Sequence, residues 1–276
     1  MHTRHLPERP GRGRLGRHVR HDPRSLAYLY PARSVGTLTS VQHHRYVPVL
    51  DQSDLGSCTG NAALGAVGTG ALFLALAKNT LQPSTTDAAA DEVRAVALYS
   101  AATRLDDYAG TYPPDDTGSS GLAVAKAAQN AGLISGYRHA TSLASALSAL
   151  ADQPVITGVN WYDSFDSPDG SGRISITKGA SVRGGHEFVL DGLDVENRLV
   201  WMTNSWGESW GKDGRACIGW DDFGRLLRED GDVTVFSPVT APAPQPTPPV
   251  DDELAGCLSK LIPLAQRWLA GRKGPS

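Results

Sequence analysis

Three residues far apart in the chain, Cys58, His186 and Asn204, carry the chemistry of a thiol-based catalytic site. A thiol is a strong nucleophile only as thiolate, so a working cysteine needs its pKa lowered by a helix N-terminus and by a histidine cation. Cys58 ends the run Asp51-Gln52-Ser53-Asp54-Leu55-Gly56-Ser57-Cys58, directly ahead of a segment with helical periodicity. Ser57 is expected to cap that helix by accepting a backbone N–H. Of the eight histidines, six fall within the first 44 residues and one is His139. The last, His186, follows Gly184-Gly185 and precedes Glu187-Phe188-Val189-Leu190. The glycine pair is expected to turn the backbone sharply, leaving the imidazole at the start of a buried strand. Eighteen positions on, Asn204 opens Asn204-Ser205-Trp206-Gly207-Glu208-Ser209-Trp210-Gly211. Its amide oxygen can accept from the far ring nitrogen of a histidine and fix the tautomer and plane. Trp206 is placed to cover that bond.

The elements that must position these groups are legible in outline. Leu64, Val67, Ala71, Leu74 and Lys78 recur at three- and four-residue spacing, which predicts one helix after Ser57. Gly60, Gly65, Gly68 and Gly70 cost that helix stability and imply close packing by neighbouring backbone. Further helices are expected over 91–105, over 120–131 with Gly132 as terminator, and over 142–151 before Pro154. The stretch 106–119 reads as loop. Short β-rich runs follow at 155–161, 187–190, 199–203, 215–220 and 233–236. Helices first and strands second predict an α+β domain with a cleft where the halves meet.

With 276 residues and a formal net charge of -3, the chain is long enough for one domain with short extensions. Its charge gives no reason to expect nucleic acid or membrane as a partner. No apolar run approaches the length that spans a bilayer. Three cysteines, Cys58, Cys217 and Cys257, are too few for a disulfide framework. With no apolar core of a signal peptide, a reducing, cytoplasmic location is expected. The excess of arginine over lysine fits a GC-rich bacterial genome. No Cys/His spacing suits a metal and no glycine-rich loop suits a phosphate, so no cofactor is expected. Four parts are expected: a basic arm over 1–45, a catalytic domain over 46–237, a proline-rich spacer over 238–250, and an amphipathic tail over 251–276. In the tail, the stripe over 251–269, including Leu254, Leu258, Leu261 and Trp268, suits docking on its own domain or on a partner.

Taken together, the three motifs resemble the papain family of cysteine peptidases, over about residues 47–236. The order Cys, His, Asn fits, and the interval from Cys58 to His186 falls near the roughly 130–150 residues usual there. The resemblance implies a two-lobed fold with a helical N-terminal lobe, an antiparallel β-sheet or barrel as C-terminal lobe, and the active-site cleft between them. It also implies hydrolysis of a peptide or protein substrate through a Cys58 thioester, with His186 as general base and acid and Asn204 orienting it. Gln52 matches the glutamine that forms the oxyanion hole with the cysteine's own N–H. Trp206 matches the tryptophan that shields the His–Asn pair. Gly118 and Ser119 match the glycine-rich strip presented to the substrate backbone.

Three positions depart from the family pattern. Leu55 replaces a disulfide cysteine. Thr59 replaces an aromatic beside the nucleophile, which is expected to loosen water exclusion. Glu187 replaces a small residue lining the pocket for the second residue before the cleaved bond, and implies a basic side chain there. The 57 residues before Cys58 leave no room for the family's long inhibitory prosegment, so the basic arm is expected either to leave the site unregulated or to lie over the cleft. Two other readings stay open: an inert binding module on the same fold, and an acyl transferase or cell-wall amidase with a similar thiol–imidazole site.

Overall fold

The computed structural model describes residues 4–5, 14–18, 27–76 and 79–239. Chain order begins with β1 (Arg4–His5), β2 (Val41–Gln42), α1 (Cys58–Val67), α2 (Gly70–Leu74), α3 (Ala88–Ala102), β3 (Asp115–Asp116), α4 (Gly121–Asn130) and β4 (Gly136–Ala140). It continues with α5 (Leu143–Asp152), β5 (Val155–Tyr162), β6 (Arg173–Ile174), β7 (Val182–Asp194), β8 (Leu199–Thr203), β9 (Arg215–Gly219), α6 (Trp220–Arg228) and β10 (Asp232–Ser237). The expected spacer beyond Val239, and the tail with Cys257, lie outside the described residues.

One eight-stranded sheet runs β4-β10-β5-β7-β8-β9-β6, with β2 added to β7. Its pairings are antiparallel except β6 with β9. The path is open, so the sheet alternative of the expected α+β fold is realised and the closed barrel is not. Alternation along the central strands sends neighbouring side chains to opposite faces. Val155, Val159, Phe188 and Leu190 enter a core shared with α5 and α6. Ile156 and Val189 enter a second core, built from α1, α3 and α4. The sheet therefore separates two helical layers, and α1 packs on β7. Among the described residues no helix is long and apolar enough to cross a membrane.

Local chemistry explains most element boundaries. Asp87 accepts from the Ala90 N–H at 3.0 Å and starts α3 earlier than expected. Ser120 caps α4, and Ser142 forms a capping box with Ser145 at α5. The single helix expected through Lys78 breaks in two, and Gly70, the first residue of α2, takes φ +56 at the break. Leu74 is left exposed as a result. Gly60 behaves as expected of a close-packing residue: a Cβ there would stand 2.1 Å from the Ala95 carbonyl oxygen of α3. Besides the two-residue strands β1, β2, β3 and β6, two longer elements were not anticipated. Trp220 opens the helix α6 rather than closing a strand, burying Phe223, Leu226 and Leu227 at helical spacing. Strand β4 pairs with β10 at the sheet edge.

Candidate active site

Cys58 is the first residue of α1 and is fully buried. Ser57 makes no capping bond, contrary to expectation. Its hydroxyl donates instead to Asn61 Oδ1 at 2.9 Å, and Asn61 Nδ2 donates to the Glu92 carboxylate at 2.8 and 2.9 Å. That chain of bonds ties the start of α1 to α3. The loop before the thiol is fixed by Asp116, which accepts from the Gly56 N–H at 3.1 and 3.0 Å and from the Tyr99 hydroxyl at 2.6 Å. Tyr99 in turn accepts from the Gly118 N–H at 2.9 Å. Leu55, where a disulfide cysteine would stand in the resembled family, packs with Val93, Val96, Tyr99 and Tyr112 in a small core of its own.

His186 does not stand at a strand start. Gly184 and Gly185 are part of the ladder, paired with Trp161 and Asn160 of β5, so β7 begins at Val182 and carries His186 in its interior. Glycine permits a sharp turn but does not require one. His186 Nε2 meets Asn204 Oδ1 at 2.7 Å, with Nε2 as the donor in the tautomer this bond selects. Asn204 Oδ1 also accepts from the Ser205 N–H at 2.8 Å. Nδ1 has no hydrogen-bond partner, so it is the ring nitrogen left for proton exchange. Trp206 covers the ring with centroids 4.9 Å apart, and Trp161 stands edge-on at 4.8 Å. Sequence reasoning missed Trp161, whose position beside His186 comes from strand pairing. Thr59 is itself fully buried.

Gln52 is held at both ends. Its Oε1 accepts from the Ser205 hydroxyl at 2.6 Å, and its Nε2 donates to the carbonyls of Leu55 at 2.7 Å and Arg14 at 3.0 Å. The second carbonyl belongs to the basic arm. Residues 14–18 lie along the cleft, with Ser119 N–H donating to Gly16 O at 2.8 Å and His18 N–H to Ser119 O at 2.9 Å. On the other side Arg17 N–H donates to Gly185 O at 3.0 Å. The pairing with Ser119 is parallel. Gly16 passes so close to the thiol's own loop that a Cβ would stand 1.9 Å from the Gly56 carbonyl oxygen. His18 stacks on Tyr108 with centroids 3.4 Å apart and rings 8° from parallel. Gly118 and Ser119 thus line the strip occupied by the arm.

Burial governs the protonation of the pair. It pushes the Cys58 thiol up to about 12, aided by the negative charge of Glu187 and opposed by hydrogen bonds from the backbone N–H groups of Glu187 and Gly16. It lowers His186 to about 4, against the hydrogen bond to Asn204, with Arg183 adding to the lowering. With the arm in place both groups are neutral at pH 7. Glu187 projects to the opposite face of β7 from His186, fully buried, and its carboxyl is pushed up to about 8 by burial and by Asp232, while Arg17 pulls it down.

No protein-family model and no curated protein matches the chain in sequence. Among solved structures, it is similar to xylellain, a cysteine protease from Xylella fastidiosa, with a TM-score of 0.61 at 17% identity over 85% of this chain and 99% of that one. It is also similar to proCathepsin B S9 from Trypanosoma congolense, with a TM-score of 0.54 at 11% identity over 82% of this chain and 86% of the other. At such identities the likeness is one of architecture, and the chain has the α+β fold of papain-like cysteine proteases.

Proposed function

We propose that the protein is a cysteine peptidase whose cleft is masked by its own N-terminal arm. The observation that carries this reading is the 2.7 Å bond from His186 to Asn204 under Trp206, which leaves Nδ1 without a partner, while the thiol at the start of α1 is met by the backbone N–H of Glu187, the residue next to His186 in the chain. With the arm displaced, Nδ1 takes the thiol proton and the Cys58 thiolate attacks the substrate carbonyl carbon. The oxyanion takes the place of the Arg14 carbonyl and accepts from Gln52 Nε2. His186 then protonates the leaving amine, giving a thioester. Water, deprotonated by the same imidazole, adds to the thioester and releases the acid and the thiol. Gly118, Ser119 and Gly185 offer the backbone groups that would hold a peptide as they hold the arm. The free thiols of Cys58 and Cys217 suit a reduced compartment such as the cytoplasm.

The test is labelling by a peptidyl epoxide or vinyl sulfone, together with cleavage of an unfolded protein substrate. Activity and label that both vanish in Cys58→Ala and His186→Ala support the peptidase. A protein that neither labels nor cleaves after the arm is displaced is the inert module instead.

A further inference from the structure

Three adjacent strands place Glu187, Gly158 and Asp232 on one rung of the sheet. Gly158 of β5 is paired with Glu187 of β7 on one side and with Asp232 of β10 on the other. Directly opposed residues project to the same face. Two carboxylates therefore flank a position that has no side chain, and the slot left by Gly158 opens between them. Arg17 of the arm fills it. A Cβ on Gly158 would stand 2.4 Å from Arg17 Nε and 2.6 Å from Glu187 Oε2. Arg17 Nη2 donates to Asp232 Oδ1 at 3.0 Å and to the Asp230 carbonyl at 2.9 Å. Gly121, at the start of α4, leaves room on the remaining side, since a Cβ there would stand 3.0 Å from Glu187 Oε1.

The occupancy is incomplete. Both Glu187 oxygens are buried without a hydrogen-bond partner, and so is Arg17 Nη1. A buried carboxylate with no partner is costly, and a planar guanidinium is the side chain whose fork can answer two acidic groups at once. We propose that the Glu187–Gly158–Asp232 rung is a recognition pocket for an arginine side chain of the peptide substrate, with Arg17 as its internal occupant. The proposal rests on the cleft being a peptidase site. Of the two acidic side chains the arm hydrogen-bonds only Asp232, so a substrate arginine that also hydrogen-bonds Glu187 competes with it. Lysine reaches one carboxylate and binds less well, and leucine leaves both unanswered.

The experiment uses the full chain carrying Gly16→Trp and Arg17→Ala, to displace the arm and empty the slot. Binding of fluorescent peptides that differ only in Arg, Lys or Leu at one position is measured with Cys58→Ala added, and turnover with Cys58 intact. Arginine is expected to bind about ten-fold or more tighter than leucine. Glu187→Gln and Asp232→Asn, which keep shape and remove charge, are each expected to cut that ratio several-fold. Arginine and leucine peptides binding within about two-fold of each other would overturn the pocket, a comparison that needs no pocket variant to fold. Turnover indifferent to arginine refutes the pocket and leaves the peptidase reading intact. Arginine-selective binding with no turnover supports the pocket and refutes the peptidase.

Discussion

The amide of Gln52 donates to the main-chain carbonyl of Arg14 at 3.0 Å, so the protein's own arm occupies the donor that the proposed mechanism assigns to the reacting carbonyl. Arg14 is held there as well by the Trp206 indole N–H at 3.4 Å and by an ion pair of the same length from its Nε to Asp116. The arm and the proposed catalytic groups share contacts, so in that mechanism displacing the arm exposes them.

Gly16 is the point at which that mask is most easily broken. A side chain cannot fit where a Cβ would stand 1.9 Å from backbone, and the loop bearing Gly56 is pinned by Asp116. Gly16→Trp is therefore expected to drive residues 14–18 out of the cleft while leaving the domain folded. Alkylation of Cys58 by a bulky epoxide, followed by peptide mass mapping, is expected to accelerate about ten-fold or more. An unchanged rate rejects masking by the arm.

Protonation gives a second, independent readout. In the masked protein the thiol stands at about 12 and the imidazole at about 4, so the thiolate fraction near neutrality is small and grows about ten-fold per pH unit. Iodoacetamide labelling of the intact chain is expected to climb steadily with pH across roughly pH 6 to 10. Water readmitted in Gly16→Trp lowers the thiol and raises the imidazole, since desolvation is the largest cause of both shifts. Its labelling is expected to be already fast near pH 6 and to vary little above it. Identical slopes for the two proteins contradict this account.

How much of this was legible in the sequence follows the distance over which each feature is built. Cys58, Gln52 and the Asn204–Trp206 turn are local motifs, and the structure brings Asn204 to His186 and Ser205 to Gln52. Gly184-Gly185 misled because two glycines read equally as a turn or as strand, and pairing with β5 decides. Helix α6 was hidden because Trp220 continues the buried run of β9 before the helical period begins. The acidic rung was half visible. Glu187 stood out as a departure, but Asp232 joins it only through the register of three strands. Arg17 could be suspected of covering the cleft and not of entering that slot.

Gln52 should act on turnover more than on binding. Its Nε2 donates to the Arg14 carbonyl, whose place the proposed mechanism gives to the oxyanion, and Ser205 fixes its orientation by donating to Oε1. In the arm-displaced protein, Gln52→Ala is expected to lower kcat by about 100- to 1000-fold with little change in KM. Ser205→Ala, which frees the amide without removing it, is expected to cost less. Steady-state kinetics on a peptide substrate decide, and a loss confined to KM would assign Gln52 to substrate binding.

The last prediction concerns the helix that carries the thiol. Gly60 lets α1 and α3 meet backbone to backbone, with a Cβ 2.1 Å from Ala95 O and 2.8 Å from the Tyr99 nitrogen. Neither contact can be relieved by a rotamer change, because both partners are main-chain atoms. Gly60→Ala must separate the helices and shift Cys58, two residues upstream, with α1. The helix-propensity gain of about 1 kcal/mol from alanine is outweighed by an overpacking cost of about 1–3 kcal/mol or more. Tm is expected to fall by several degrees, and Cys58 labelling in the Gly16→Trp background to slow. A Tm held or raised in a calorimetric scan would show that α1 and α3 have more freedom than their contact implies.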